Sequence, residues 1–367
     1  MGIDNKKAAI VTLYDDINLG NKLQNYALQE VLKKFLDCKT VDTLSYSEAK
    51  ENTSDKLSWK GKLVLALGYP RKKALEKRKM IERRKKFERF SSANLNVVDP
   101  KPFHDFGKFE NSKYDYFIVG SDQVWHGWMN TEEELNYFFL KFASPEKRIC
   151  FAPSFGFNEV PENNIKLYID GLNGFRFLSC REESGCELIR QMTGKDAVLL
   201  PDPTIVLPVE EWRKLERKPD YELPEKYILS YFLGEQRGIK NTKLSEDISI
   251  IAEKSNLPVI DIFDKTCLYY YATDPCEFLY LIRNAELVLT NSFHCAVFSI
   301  LNRKKFKLFS RNDSDGKKMS SRGDTLLKEF HLFPDRDGFI DNFDDVEQII
   351  LEKRRLSEKY LEMVFQA

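Results

Sequence analysis

Leu287-Val-Leu-Thr-Asn-Ser-Phe-His-Cys-Ala-Val-Phe-Ser299 decides how this chain is read. Leu287 to Leu289 form a short apolar run, the pattern of a buried strand. Asn291 and Ser292 are favourable N-cap residues, and Ala296 to Leu301 continue as an apolar helix. A strand that turns directly into a helix is the repeating unit of an α/β fold. The first turn of such a helix carries unpaired amides and the positive end of the dipole, so it suits an anion. His294, one of four histidines in the chain, falls in that turn. A helix N-terminus disfavours imidazolium and a bound dianion favours it, which places His294 for proton transfer near neutral pH.

The same alternation extends in both directions. Lys7 to Leu13 reads as a strand, followed by Gly20-Asn21 and an amphipathic helix from about Leu23 to Leu36. Further strands are expected at Val41–Leu44, Tyr114–Gly120, Arg148–Ala152, Phe177–Ser179 and Ala197–Leu200. A second series runs through Tyr227–Gly234, a helix at Ile248–Lys254, a strand at Pro258–Ile262, a helix at Pro275–Asn284 and a strand at Lys305–Phe309. Pro203, Pro208, Pro219 and Pro224 mark the boundary between the series. The expected domains are 1–205, carrying a basic helical insertion over about 47–94, and 206–343, which holds His294. The amphipathic helix of 344–367 is expected to pack back on the N-terminal domain. Two α/β domains in tandem place a ligand in their cleft, outside the carboxyl ends of the strands.

Bulk properties exclude several classes. There are 57 basic and 57 acidic residues, so net charge gives no reason to expect nucleic acid. Lys6 and Lys7 precede only Ala8 to Leu13 before Asp15 and Asp16 intervene, which is not a signal peptide. No run approaches the ~18 apolar residues of a membrane span. Seven cysteines without CxxC pairs fit a reduced, cytoplasmic protein. Cys180 and Cys186 lack a matching histidine pair, so neither a metal nor a cofactor is expected. The basic run 71–87, preceded by Trp59, Leu63–Leu67 and Tyr69, reads in two ways. It is a solvated helix face, or 59–89 contacts an anionic membrane peripherally at the inner face of the cell membrane.

Polar residues cluster where strands end. Ser121, Asp122 and Gln123 lie in the Gly120–Trp125 loop, placed for a polar ligand or for a simple turn capped by Asp122. Arg181 offers a planar fork for carboxylate or phosphate, or forms a surface pair with Glu182. Asp202, between two prolines, reads as a polar anchor, a base or a turn residue. Ser320, Ser321 and Arg322 form an anion pocket or an ordinary helix cap.

Taken in order, these segments resemble the polysaccharide pyruvyl transferase family. The matching stretches are Gly20–Leu28, Asp115–Trp125, Ala152–Gly156, Ser179–Glu182, Asp202–Thr204, Thr290–Ser299 and Ser320–Arg322. The resemblance implies two Rossmann-like domains facing a cleft, as in GT-B glycosyltransferases. It also implies transfer of an enolpyruvyl-derived unit from phosphoenolpyruvate, as co-substrate, to a sugar as a pyruvate ketal. Galactose or another hexose is the expected acceptor, free in a surface polysaccharide or linked to polyprenyl diphosphate. His294 matches the family's functional histidine and is the expected general acid. Arg181, Arg322 and the helix start at Ser292 would hold the donor, and Asp122 or Asp202 would contact the sugar or act as base. Asn291, Ser321, Gly20, Asn21, Gln24, Ser121 and Gln123 complete the expected substrate contacts. Ser292 stands where members often carry Arg or Ser, and Cys295 where Gly is common; where an Arg at that position grips the donor, the grip here passes to Arg181 or Arg322. A nucleotide-sugar glycosyltransferase on the same scaffold, and a non-catalytic binding protein of polysaccharide assembly, are the competing readings.

Overall fold

The computed structural model describes residues 6–14, 17–36, 41–46, 71–101, 113–126, 131–157, 159–234, 242–264, 266–310 and 321–366. Its first sheet is built on β1, Ala8–Val11, buried along its whole length. The other strands are β2 (Asp42–Tyr46), β3 (Val97–Lys101), β4 (Tyr116–Val119) and β5 (Arg148–Cys150), in the order β3-β2-β1-β4-β5. All pair in parallel, with Ala8 opposite Tyr116 and Ala9 opposite Asp42. Apolar runs without alternation form such strands because both faces are covered by helices. β6 (Ser179–Cys180) and β7 (Val198–Leu199) form a short parallel pair beside β5. The Ser179 hydroxyl joins the two sheets, donating to Cys150 O at 2.9 Å and accepting from Ala152 N at 3.1 Å.

The second sheet holds β8 (Ile228–Tyr231), β9 (Val259–Asp261), β10 (Leu287–Thr290) and β11 (Phe306–Leu308), in the order β11-β10-β8-β9. These strands are also parallel. The chain reverses direction across the first sheet between β1 and β4, and across the second between β8 and β10. Crevices at such reversals, outside the carboxyl ends of the strands, are where α/β folds bind ligands.

Several elements join the two sheets. Helix Leu19–Phe35 contributes Leu19, Leu23 and Ala27 to a core shared with Phe278, Ala296 and Phe298 of the second half. Helix Val346–Gln366 buries Ile349 and Ile350 in that core, and Tyr360, Leu361 and Phe365 beside Ala8 and Ile10 of β1. Along it, Arg354 Nε donates to Val206 O at 2.9 Å and the Tyr360 hydroxyl to Cys150 O at 2.8 Å.

Helix Arg71–Asn94 carries the basic run. Trp59, Leu63–Leu67 and Tyr69 lie outside the described residues. Lys79 and Arg83 are buried, and Lys86 pairs with the buried Glu277 at 2.8 Å. These cations therefore point into the protein rather than onto a solvated face. Among the described residues no helix is long and apolar enough to cross a membrane.

Candidate active site

Two helix starts from different halves of the chain meet at the site. Helix Leu19–Phe35 begins four residues earlier than its apolar periodicity predicts, because Asn18 caps it. Its Oδ1 accepts from Gly20 N at 3.0 Å and Asn21 N at 3.3 Å. Gly20 and Asn21 thus lie in the first helical turn rather than in a preceding loop. Facing them is helix Phe293–Leu301, capped by Ser292, whose hydroxyl accepts from Cys295 N at 3.4 Å. A β-carbon at Gly20 would overlap Nδ1 and Cγ of His294. Only a glycine lets the two helix ends approach this closely.

On its other side the imidazole meets a buried ion cluster. His294 Nε2 is 3.5 Å from Asp202 Oδ2, and at that length it has no hydrogen-bond partner. Asp202 Oδ2 receives Arg181 Nη1 at 2.5 Å and the Ser121 hydroxyl at 3.0 Å. Its Oδ1 receives the Thr204 amide at 3.0 Å and hydroxyl at 2.7 Å, capping helix Pro203–Val206. Arg181 Nη2 reaches Asp122 Oδ1 at 3.3 Å, while Asn21 Nδ2 donates to Asp122 Oδ2. The guanidinium lies 4.4 Å from the centre of the Phe293 ring. Asp122 holds φ at 69°, uncommon for a residue with a β-carbon, and pairs along the chain with Pro153.

Burial pushes the Asp202 carboxyl up, but the imidazole of His294, the Arg181 guanidinium and the Thr204 hydroxyl together hold it well below the carboxylate range. Burial would lower Arg181, and the charges of Asp202, Asp122 and Glu182 overcome that and raise it. Asp202 is therefore a fixed carboxylate at neutral pH.

The cluster revises several expected roles. Arg181 is neither a free anion clamp nor half of a surface pair, because both its terminal nitrogens are committed to buried aspartates. Glu182 instead faces inward, accepting from the Ser154 hydroxyl at 3.0 Å, Phe155 N at 2.8 Å and Gly156 N at 3.2 Å. Asp122 and Asp202 are saturated by partners and are not free bases. Asn291 stitches the second sheet's crevice, with Oδ1 accepting from Leu233 N at 2.7 Å and Nδ2 donating to Leu233 O at 3.1 Å. Gln24 donates to Thr12 Oγ1 at 2.8 Å, and Thr12 donates to Ser121 O at 3.0 Å, tying the first crevice together. Cys295 faces the core, where burial raises its thiol to about 12, far from a reactive thiolate. Ser321 and Arg322 begin helix Ser321–Glu329, and their side chains lie outside the described residues. Gln24 Oε1, Gln123 Nε2, Arg181 Nε and Glu182 Oε2 are buried around the cluster without a partner among the described residues.

Thr12, Asn18 and Thr204 were not singled out from the sequence. Asn18 carried a usable signal, a cap residue ahead of a helix, whereas Thr12 falls inside the stretch read as a strand and follows its end only because β1 stops at Val11.

The parallel sheets and shared cleft define a two-domain, GT-B-like α/β protein. The chain belongs to the polysaccharide pyruvyl transferase family, whose model matches residues 18–313. A Listeria monocytogenes protein assigned as a UDP-N-acetylglucosamine 2-epimerase superposes with a TM-score of 0.51, at 11% identity, covering 99% of this chain and 91% of that one. The UDP-GlcNAc 2-epimerase of Neisseria meningitidis, bound to UDP-GlcNAc, gives a TM-score of 0.48 at 10% identity, covering 97% and 100%. No curated protein matches the sequence.

Proposed function

We propose that this chain transfers the three-carbon unit of phosphoenolpyruvate to two hydroxyls of a sugar, releasing phosphate and leaving a pyruvate ketal. The observation that carries the reading is His294, held between Gly20 of one half and Asp202 at the boundary with the other.

Ketal formation begins when a proton is added to the donor's methylene carbon, leaving an oxocarbenium-like centre at C2. One sugar hydroxyl bonds to C2 and loses its proton. The C2–O bond to phosphate breaks, and the second hydroxyl bonds to C2 in turn. Of the two hydroxyl protons, one balances the proton delivered to the methyl carbon and the other leaves with phosphate. In this scheme His294 is the acid, and Asp202 stabilises the imidazolium form before transfer and holds the ring. The ring is held on both edges, with Nε2 3.5 Å from Asp202 Oδ2 and Nδ1 against the bare α-carbon of Gly20.

The donor carries a carboxylate and a phosphate. The Ser292 hydroxyl takes only the Cys295 amide, so the amides of Phe293 and His294 have no acceptor among the described residues and suit an anion. Arg322, rather than the committed Arg181, is the cation proposed to grip the donor. Arg181 instead fixes the two aspartates. The acceptor is proposed to be a hexose, carried on a polysaccharide or on polyprenyl diphosphate, reaching the side of Gln123 and Glu182. Amide and carboxylate groups with spare hydrogen-bonding capacity suit sugar hydroxyls.

Thermal-shift measurements with phosphoenolpyruvate, UDP-sugars and GDP-sugars test the donor class. A ligand of the folded state at 100 times its Kd stabilises by about 2.7 kcal/mol. Stabilisation by phosphoenolpyruvate alone supports this reading, and stabilisation by a nucleotide sugar alone overturns it.

A further inference from the structure

We propose that helix Arg71–Asn94 is a strap that fixes how the two halves meet, with Arg83 as the residue that positions Gly20 against His294. Arg83 is buried. Its Nη1 donates to Tyr271 O at 2.7 Å, in the half that carries His294. Its Nη2 donates to Ile17 O at 3.0 Å, in the half that carries Gly20. One guanidinium thus binds a backbone carbonyl on each side of the cleft. The planar fork suits this task, because its two ends are held at a fixed separation and direction. The group is also packed among the rings of Phe87 at 5.0 Å, Phe263 at 5.1 Å and Tyr271 at 5.5 Å.

The two carbonyls lie at useful places. Ile17 immediately precedes Asn18, the cap that places Gly20 and Asn21 in their helical turn. Tyr271 ends helix Leu268–Tyr271 and leads into helix Pro275–Asn284, which packs against the His294 helix. Other residues of the strap repeat the attachment at three- and four-residue spacing, one face of a helix. The Tyr271 hydroxyl meets Met80 Sδ at 3.8 Å, and Phe87 and Phe90 enter the shared core. Lys86 Nζ donates to both carboxylate oxygens of buried Glu277, at 2.8 and 2.9 Å. Glu277 in turn closes the capping box of helix Pro275–Asn284 with Asp274. Arg83 and Lys86, two cations of this helix, thus serve attachment between the halves.

Its effect on turnover rests on the ketal-forming reading, and its structural part does not. The test is amide hydrogen exchange on the full chain, without substrate, in Arg83→Ala. Exchange at residues 18–24 and 293–298 is expected to rise ~10-fold, while β1 and β8 keep wild-type rates. Added guanidinium ion should fill the vacated space and restore protection. Ketal formation by the same variant should lose kcat more than it raises KM for phosphoenolpyruvate, with recovery on adding guanidinium. Unchanged exchange at 18–24, or an equal rise everywhere, overturns the proposal. If Arg83→Ala does not fold, Lys86→Gln is read by the same pattern, with a smaller rise confined to the same segments. A wild-type protein that shows no ketal formation, while the exchange pattern appears as expected, refutes the reaction and leaves the strap standing.

Discussion

Gly20 and His294, 274 positions apart in the chain, are in direct contact, and the absence of a side chain at 20 makes that contact possible. Gly20→Ala places a methyl group where Nδ1 and Cγ of the imidazole lie. The ring must move off Asp202 or the helix ends must separate. A displacement of this size costs about 10²-fold in turnover when the moved group does the chemistry. The expected variant folds, melts cooperatively and has lost ketal formation by that order. Wild-type activity in Gly20→Ala would show that the closeness of the pair has no catalytic role.

Asp202→Asn tests the ion cluster through stability. The wild-type carboxyl is held below its unfolded value, so it stabilises the fold fully above pH ~4 and loses that contribution as pH falls further. Asparagine keeps the shape but not the charge facing Arg181. At pH 7 the variant should be less stable in urea by about 3 kcal/mol, the scale for breaking a buried pair. The difference should shrink below pH ~4, where the unfolded wild-type chain takes up the proton that folded Asp202 does not bind. A difference that stays constant from pH 7 into strong acid contradicts the assignment.

Asp261 should behave with the opposite sign. It ends β9, accepts from Phe263 N at 3.0 Å, and burial raises its carboxyl to about 6, with Asp264 adding to the rise. The folded state therefore binds its proton more tightly than the unfolded chain does. Stability should fall as pH rises from ~4 towards 6 and then level. Asp261→Asn keeps the acceptor for Phe263 N and removes the charge. Its urea midpoint should exceed that of wild type at pH 7 and match it near pH 4. A lower midpoint at pH 7 would assign the carboxylate a stabilising partner.

Much of this was legible in the residues because local rules decide it. Apolar runs such as Ala8–Val11 and Leu287–Thr290 are buried on both faces, so run length alone locates them. The Ser292 cap before the His294 helix is equally local. The start of helix Leu19–Phe35 was misplaced because periodicity weighs apolar residues, whereas Asn18 sets the boundary by a side-chain hydrogen bond. Arg181 was misjudged for a different reason. Its partners Asp122 and Asp202 lie 59 and 21 positions away, and a spacing pattern cannot show that a cation has been neutralised by distant acids. Within the basic run Lys86 is a like case, since its partner Glu277 lies 191 residues away.

The central claim is that His294 delivers a proton to the methylene carbon of phosphoenolpyruvate as a sugar ketal forms. Incubating the protein with phosphoenolpyruvate and a nitrophenyl galactoside in D2O, and reading the product by proton NMR and phosphate release, tests it most directly. The account predicts one phosphate per ketal, a ketal methyl group carrying a single deuterium, and loss of both signals in His294→Gln. Ketal formation at wild-type rate by His294→Gln, or phosphate release without a deuterated methyl ketal, would contradict it.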